Sequence, residues 1–431
     1  MNPGARSGGD TPRGLRYPDD PMTTVDRRAH FRDYMRRLDP TASPEHAMAG
    51  GFYVAPPSAV ASRIGARLDI EPASSHLLLG GIGSGKTTAL LAIRSHLLSV
   101  PDAAVTMVDV LTRQRETKLG PGVLLALAGL ELLDWVARER AGRVDLDALE
   151  RTRRAVHGVA HGRVEDDEPD DYSQLDYGEH WVPGVLEEPL KTAHLDVVAR
   201  EIHELERIAG VNFTVLFDGL DRLPDPRTFA EMIRVDIPLL KRASVGVVVV
   251  GPQSLRFEAD RSSQDVFSDV HLHGSVNIES AEGWDFLRGV LRRRVEPDIL
   301  PDAARDRIIL WSGGVIRDLI ALARAAGETA YSLGHDGVVV DDVDAAADRF
   351  GRALVLGMSK AMLERLIELT SRYRPAMIAA PPRSEPWVVA TDADVSLLLH
   401  RVMIEVPTTP VRYLLHPTIV PLLPHLLRKT A

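Results

Sequence analysis

Between residues 76 and 280 the chain alternates short, nearly continuous apolar runs with longer stretches whose apolar residues recur at helical spacing. The runs 76–79 (HLLL), 103–111 (AAVTMVDVL), 213–217 (FTVLF), 246–252 (GVVVVGP) and 270–278 (VHLHGSVNI) predict five strands. The stretches 88–98, 122–141 (GVLLALAGLELLDWVARERA) and 195–210 predict helices, the last ended by Gly210. Buried strands interleaved with helices predict a parallel sheet covered on both faces. Ligands of such sheets sit beyond the carboxyl ends of the strands.

After Ser280 the pattern turns helical. The segments 284–295, 304–314, 315–331 and 341–355 predict a small bundle. Helices at 359–373 and 391–402 are followed by a hairpin, MIEV–PTTP–VRYLLH, and a closing helix, TIVPLLPHLLR. The expected organisation is a flexible leader over 1–44, a sheet domain over 45–280, a helical lid over 281–355 and a winged-helix-like domain over 356–431. Within the leader, 25–38 (VDRRAHFRDYMRRL) predicts a short basic helix, and the acidic stretch 164–181 reads as an exposed loop.

The bulk composition narrows the class. At 431 residues the chain holds two or three domains. Its 51 Lys and Arg against 61 Asp and Glu leave a formal charge of −10, so it is no nucleic-acid polycation, though a local basic face stays open. The absence of cysteine excludes disulfides, thiolate zinc sites and cysteine catalysis. No apolar run approaches the roughly 20 residues of a membrane span, and the first residues lack a signal-peptide core. A soluble, cytoplasmic protein without membrane partners is expected.

The candidate chemistry starts at GGIGSGKTT, residues 80–88, between the first strand and its helix. Gly80, Gly85, Lys86 and Thr87 fit the spacing G-x-x-x-x-G-K-[ST] of a phosphate-binding loop. In such a loop the backbone N–H groups of Gly80, Gly81, Ile82, Gly83, Ser84, Gly85, Lys86, Thr87 and Thr88 curl around phosphate, and the helix N-terminus faces the same charge. Lys86 would reach the β- and γ-phosphates and the Thr87 hydroxyl would hold Mg²⁺. The strand ending FDGLD supplies Asp218 for the Mg²⁺ shell. Asp221 is placed either to orient the attacking water or to cap the next helix.

The pair GGIGSGKTT and TVLFDGLD resembles the AAA+-related ATPases, and within them the STAND signalling ATPases and the origin-recognition-type ATPases. The resemblance implies ATP or ADP with Mg²⁺ as ligands. Gly219 departs from the AAA+ pattern at the usual catalytic glutamate, which implies slow hydrolysis by a switch. SGGVIRDL (312–319) is similar to the second-sensor helix of these ATPases, making Arg317 the arginine that leans onto the phosphates; a surface arginine at a helix start is the alternative. Gln253, Ser254 and Arg256 are first-sensor candidates. Arg222, Arg227, Arg242 and Arg261 are conceivable arginines for a neighbour's site. Tyr53 and Val54 fall where the family places its adenine-contacting segment, or they pack in the core. In YLLHPTIVPLL, Leu415, His416 and Pro417 occupy the place where STAND proteins carry a histidine on the ADP β-phosphate. The alternative for His416 is a helix cap or core packing.

Two functions follow from these readings. The first is a regulatory, slowly hydrolysing ATPase whose nucleotide state sets domain packing, with a protein partner or a homo-oligomer and a setting in stress or antiphage signalling. The second is a DNA-associated ATPase of origin-binding or transposition-helper type. Its reading helix, 391–402, carries Asp392 and Asp394 and only Arg401, and the wing adds Arg412, so nucleic acid is the less favoured partner.

Overall fold

The computed structural model describes residues 24–114, 116, 119–140, 142, 144–160, 192–223, 225–257, 264–372, 389–409 and 411–428. The acidic stretch 164–181 and Arg261 lie outside them.

Five parallel strands form the central sheet: β1 (Ser75–Leu79), β2 (Ala103–Asp109), β3 (Asn212–Asp218), β4 (Gly246–Gly251) and β5 (Asp269–Leu272), in the order β2-β3-β4-β1-β5. The period-two geometry of a strand explains why β4 reads as valine throughout. Val247 and Val249 face one helical layer while Val248 and Val250 face the other. On the first face lie α6 (Val123–Glu139), α7 (Leu146–Ala160), α8 (Thr192–Ala209) and α9 (Pro226–Arg242). On the second lie α3 (Val60–Ile70), which follows α2 (Pro44–Ala49), and α4 (Lys86–Leu97), which springs from the glycine-rich loop. A short helix, α5 (Val110–Arg113), follows β2.

The fifth strand is shorter than its apolar pattern predicts. After Leu272 the chain leaves the sheet, because residues 273–276 give their backbone groups to other parts of the molecule. His273 N–H still donates to Leu79 at 2.7 Å, whereas Ser275 N–H donates to Glu405 and Val276 N–H to Gly314.

The lid comprises α10 (Ala281–Arg292), α11 (Asp302–Ser312), α12 (Ile316–Leu333) and α13 (Val340–Leu354). Its core also takes in α1 (Thr24–Arg37), within the segment expected as a flexible leader. Phe31, Tyr34 and Leu38 form an apolar stripe at helical spacing that is buried against the lid, and the Tyr34 hydroxyl donates to Ala323. Arg27 closes the end of α12 by donating to the carbonyls of Ala330, Tyr331 and His335. Those contacts correct the leader expectation for residues 24–37: Arg27 and the apolar residues pack on the lid while Arg28, His30, Arg32 and Arg36 are exposed.

The C-terminal part has α14 (Lys360–Arg372), α15 (Asp392–Leu399), the antiparallel pair β6 (Met403–Val406) and β7 (Arg412–Leu415), and α16 (Leu423–Arg428). Pro417–Leu422 winds as a 3₁₀ turn before α16, so the expected closing helix is split. The fold is thus α/β, with a five-stranded parallel sheet, a helical region and a small antiparallel wing. Among the described residues no helix is long and apolar enough to cross a membrane.

Asp236 of α9, fully buried, accepts from Gly122 N–H at 2.5 Å and Leu124 N–H at 2.7 Å and so caps α6. Burial pushes its carboxyl from 3.8 up to about 7 despite those donors. With the unfolded chain at the ordinary value, this group's contribution to stability is full below about pH 4 and is lost as the pH rises through about 7. Asp236→Asn removes the titration but keeps one acceptor, so it should flatten that fall by a few kcal/mol at ~1.4 kcal/mol per unit. Urea midpoints of the two proteins at about pH 4 and about pH 8 measure it; equal pH dependence would exclude Asp236 as the group.

Candidate functional site

The loop between β1 and α4 folds as its spacing requires. Gly83 and Gly85 adopt φ of +83° and +100°, which glycine reaches without the cost of a Cβ. Lys86, buried at the start of α4, donates to the carbonyls of Gly80 and Gly81, each at 2.9 Å, and pairs with Asp221 at 2.9 Å. The Thr87 hydroxyl donates to Asp218 at 2.7 Å, joining α4 to the carboxyl end of β3. Asp218 also accepts from Gly219 N–H, and burial raises its carboxyl above the ordinary range against these two hydrogen bonds. Ser84 Oγ is buried with no hydrogen-bond partner among the described residues. An ammonium folded back onto loop carbonyls, an orphaned hydroxyl and a helix N-terminus fit an anion such as phosphate. Thr87 and Asp218 fit Mg²⁺, which takes few protein ligands and shares the rest with phosphate and water. Among the described residues no group of three His, Asp or Glu forms a metal site by itself.

Asp221 lies in a 3₁₀ turn, Leu220–Arg222, and does not cap the next helix; Asp225 does so by accepting from Arg227 N–H. The structure thus gives Asp221 a partner, Lys86, where the sequence offered it an attacking water or a cap. Ile82 is exposed at the tip of the loop, and Thr88 is half-buried in the first turn of α4.

Arg317 stands over the loop. Its N–H donates to the Gly83 carbonyl at 3.3 Å, and a Cβ on Gly83 would lie 2.7 Å from that of Arg317. The next residue, Asp318, points the other way: it is buried, ion-paired with Arg401, and 3.5 Å from His416 Nε2. His416, fully buried and capping the turn that follows, takes the helix-cap and core place that the sequence offered as the alternative to a phosphate contact. Its Nδ1 lies 2.8 Å from Thr418 Oγ1 and accepts from Thr418 N–H, so both ring nitrogens face other groups. The histidine begins the 3₁₀ turn with Pro417 at the first position, where the missing N–H goes unnoticed.

Gln253, beside Gly81, donates to the Glu405 carboxylate of β6, and Arg256 is ion-paired with the same group. The wing therefore sits on the segment that follows β4. A cleft between loop and wing is lined by Gly81, Ile82 and Ser84 on one side and by Arg401, Met403 and Ile404 on the other. Val54 packs on the lid core against Gly289, and Tyr53 is half-buried with its hydroxyl pKa raised by burial. Arg242 is engaged with Asp196.

Sequence reasoning missed Asp109, His273, Asp318 and Glu405. Asp109 carried a signal, since β2 is an apolar run ended by a carboxylate, as β3 is. His273 lies under the loop; burial, then the Lys86 charge, holds its imidazole down at about 4, so it is neutral there. Asp318 and Glu405 act across long sequence separations and carried none.

No protein-family model matches this sequence, and no curated protein matches it. Among solved structures, the ORC2 protein of Aeropyrum pernix, determined as ADPNP–ADP complexes, matches at 12% identity and a TM-score of 0.45 over 92% of this chain and 98% of that one. Cdc6p of Pyrobaculum aerophilum matches at 12% identity and 0.41 over 91% and 97% of the two chains. A Walker-type ATPase of Pyrococcus abyssi matches at 14% identity and 0.42 over 86% and 99%. Likeness at these levels carries no argument for an activity or a partner.

Gly80 runs so close to residue 273 that a Cβ would fall on the His273 carbonyl oxygen, whereas one on Gly81 would meet nothing nearer than 3.6 Å. Gly80→Ala should destabilise the chain by about 1–3 kcal/mol, and Gly81→Ala by no more than about 0.5 kcal/mol. Denaturant unfolding of the two variants checks this; equal losses would mean that the crossing under the loop is misplaced.

Proposed function

We propose that the chain is an ATP-binding, slowly hydrolysing ATPase that works as a switch of the STAND kind, its nucleotide state setting how the wing and lid pack on the sheet. One observation carries the reading. A single helical turn at the start of α12 holds Arg317 over the phosphate loop and Asp318 in the wing, so whatever moves one displaces the other. A phosphate that draws Arg317 toward it biases the Asp318 contact in the same step. Glu405 on Gln253 and Arg256 supports the same reading, because the groups placed to sense a γ-phosphate hold the wing instead.

In this reading Lys86 and the loop N–H groups bind the phosphates, and Thr87 and Asp218 hold Mg²⁺, which when bound neutralises charge on the transferred phosphoryl group. Asp221 holds the Lys86 ammonium in place. Tyr53 remains the candidate for the adenine side. A protein partner or a second copy reads the opened wing, and stress or antiphage signalling is a setting that this behaviour suits.

The DNA-associated alternative lacks comparable support. Arg401 is committed to Asp318, Arg412 to Glu279, and Arg365 to Asp394 and Glu368. Arginines engaged inside the chain release no counterions from a duplex.

Lys86→Ala should weaken binding of a fluorescent ATP analogue about 10²-fold, since charge-assisted bonds to two phosphates are worth about 1.5–3 kcal/mol each. Unchanged affinity in the folded variant would remove the phosphate-loop assignment. Glu405→Gln breaks the ion pair with Arg256 and should let the wing open, raising the radius of gyration without nucleotide toward that of wild type with a non-hydrolysable ATP analogue. Identical radii for wild type with ADP, wild type with the analogue, and the variant would overturn the switch.

A further inference from the structure

Three carboxylates crowd the carboxyl edge of the sheet around Lys86 and Thr87: Asp109 at the end of β2, Asp218 at the end of β3 and Asp221 just beyond it. Two of them are committed. Asp218 receives hydrogen bonds from Thr87 and Gly219, and Asp221 is paired with the Lys86 ammonium. Asp109 is half-buried and has no ion pair among the described residues; its Oδ1 accepts from Leu111 N–H at 3.2 Å, which leaves Oδ2 uncommitted.

The register places this third carboxylate beside the site. Asp109 and Asp218 are direct partners across the parallel pair, at the spacing of about 4.8 Å between neighbouring strands. Gly219 lies in the left-handed region, with φ +88°, and a Cβ built there would stand 2.5 Å from Asp109 Oδ1. The residue after Asp218 thus presents no side chain, and the space one would fill holds a carboxylate from the neighbouring strand. A glycine at 219 and an aspartate at 109 are one arrangement.

We propose that Asp109 is a catalytic residue of the ATPase reaction put forward above, on which this assignment rests. Its carboxylate orients the attacking water and accepts its proton. The water oxygen bonds to the γ-phosphorus while the bond from that phosphorus to the β–γ bridging oxygen breaks, its electron pair staying on ADP. The proton held by Asp109 then passes to the released phosphate or to solvent. Asp221 is the poorer base for this step, because the ammonium against it already uses its charge. Asp109 stands one strand further from the loop than Asp218, so the water it holds meets phosphate at longer reach, in keeping with low turnover.

Asp109→Asn is the test, since asparagine keeps the acceptor for Leu111 N–H and removes only the charge. Steady-state hydrolysis, ATP-analogue affinity and thermal melting are measured on the full chain. The expected result is a kcat lower by about 10²-fold, with KM, affinity and melting unchanged, and partial recovery in Asp109→Glu, which restores a carboxylate. Asp109→Ser, which also keeps an N-cap oxygen, should match Asn. A wild-type chain that hydrolyses ATP and an Asn variant that does so equally fast would overturn the assignment alone. A wild-type chain that binds ATP and never hydrolyses it would overturn the ATPase reading and Asp109 with it.

Discussion

The four residues from His273 to Val276 hold three parts of the chain through their backbones. His273 N–H bonds Leu79 at the mouth of the loop, Ser275 N–H and Oγ both bond the Glu405 carbonyl of the wing, and Val276 N–H bonds Gly314 before the lid helix α12. Because all of these but the Ser275 Oγ bond use main-chain groups on both sides, their geometry is set by where the strand ends, with little freedom left to side chains. Gly274 belongs to this crossing, since a Cβ there would sit 3.3 Å from the Glu405 carbonyl oxygen and tighten the seam. Loop, lid and wing therefore meet at one narrow seam, and a displacement of any of them strains hydrogen bonds to the other two.

Charge at the site is arranged around the Lys86 ammonium. Lys86 is buried among two carbonyls and the Asp221 carboxylate, and its field helps keep His273 neutral beneath it. Asp218, close by, is pushed up by burial and by the nearby charges of Asp221 and Asp109. This edge therefore carries more acid than base before any ligand enters. In the proposed reading Thr87 and Asp218 would hold a divalent cation that offsets this excess, and Lys86 would exchange its loop carbonyls for phosphate. Nucleotide and metal would thereby be coupled in that reading, each improving the field that the other meets.

The parts of the fold that arise from local pattern were legible in the sequence. The glycine-rich loop, the valine run of β4 and the hairpin of β6 and β7 fall where apolar spacing and turn residues put them. Helices α3 and α7 passed unread, although each carries an apolar face, because their residues lie between stronger signals, and α9 was read only as the helix that Asp221 could cap. Helix α1 was read as basic, while Phe31, Tyr34 and Leu38, which decide its place, bury against a partner nearly 300 residues away. The site divides in the same way. Lys86, Thr87 and Asp218 are read from a short motif and a strand end, but Asp109 becomes meaningful only through the register of β2 on β3. His416 was assigned by position in a hairpin, whereas its surroundings are set by Asp318, on a helix in another part of the chain.

The contact between Asp318 and the wing is strong in charge and imperfect in geometry. Arg401 pairs with one carboxylate oxygen, while Asp318 Oδ2 and His416 Nε2 are both buried, lie 3.5 Å apart, and have no hydrogen-bond partner among the described residues. Each such atom costs about 1–3 kcal/mol of lost solvation. Arg401 itself sits at φ +57°, a conformation that costs a non-glycine residue about 1–2 kcal/mol. These terms offset much of what the buried ion pair contributes, since the desolvation of paired charges already cancels most of their attraction. The Asp318 contact thus contributes little net hold on the wing. A differential affinity of about 5.5 kcal/mol moves a two-state equilibrium from one extreme to the other. In the switch proposed above, phosphate contacts through Lys86, Arg317 and the loop N–H groups would be of that order. In the proposed switch, a tighter seam with every atom satisfied would hold the wing against the nucleotide that is to move it.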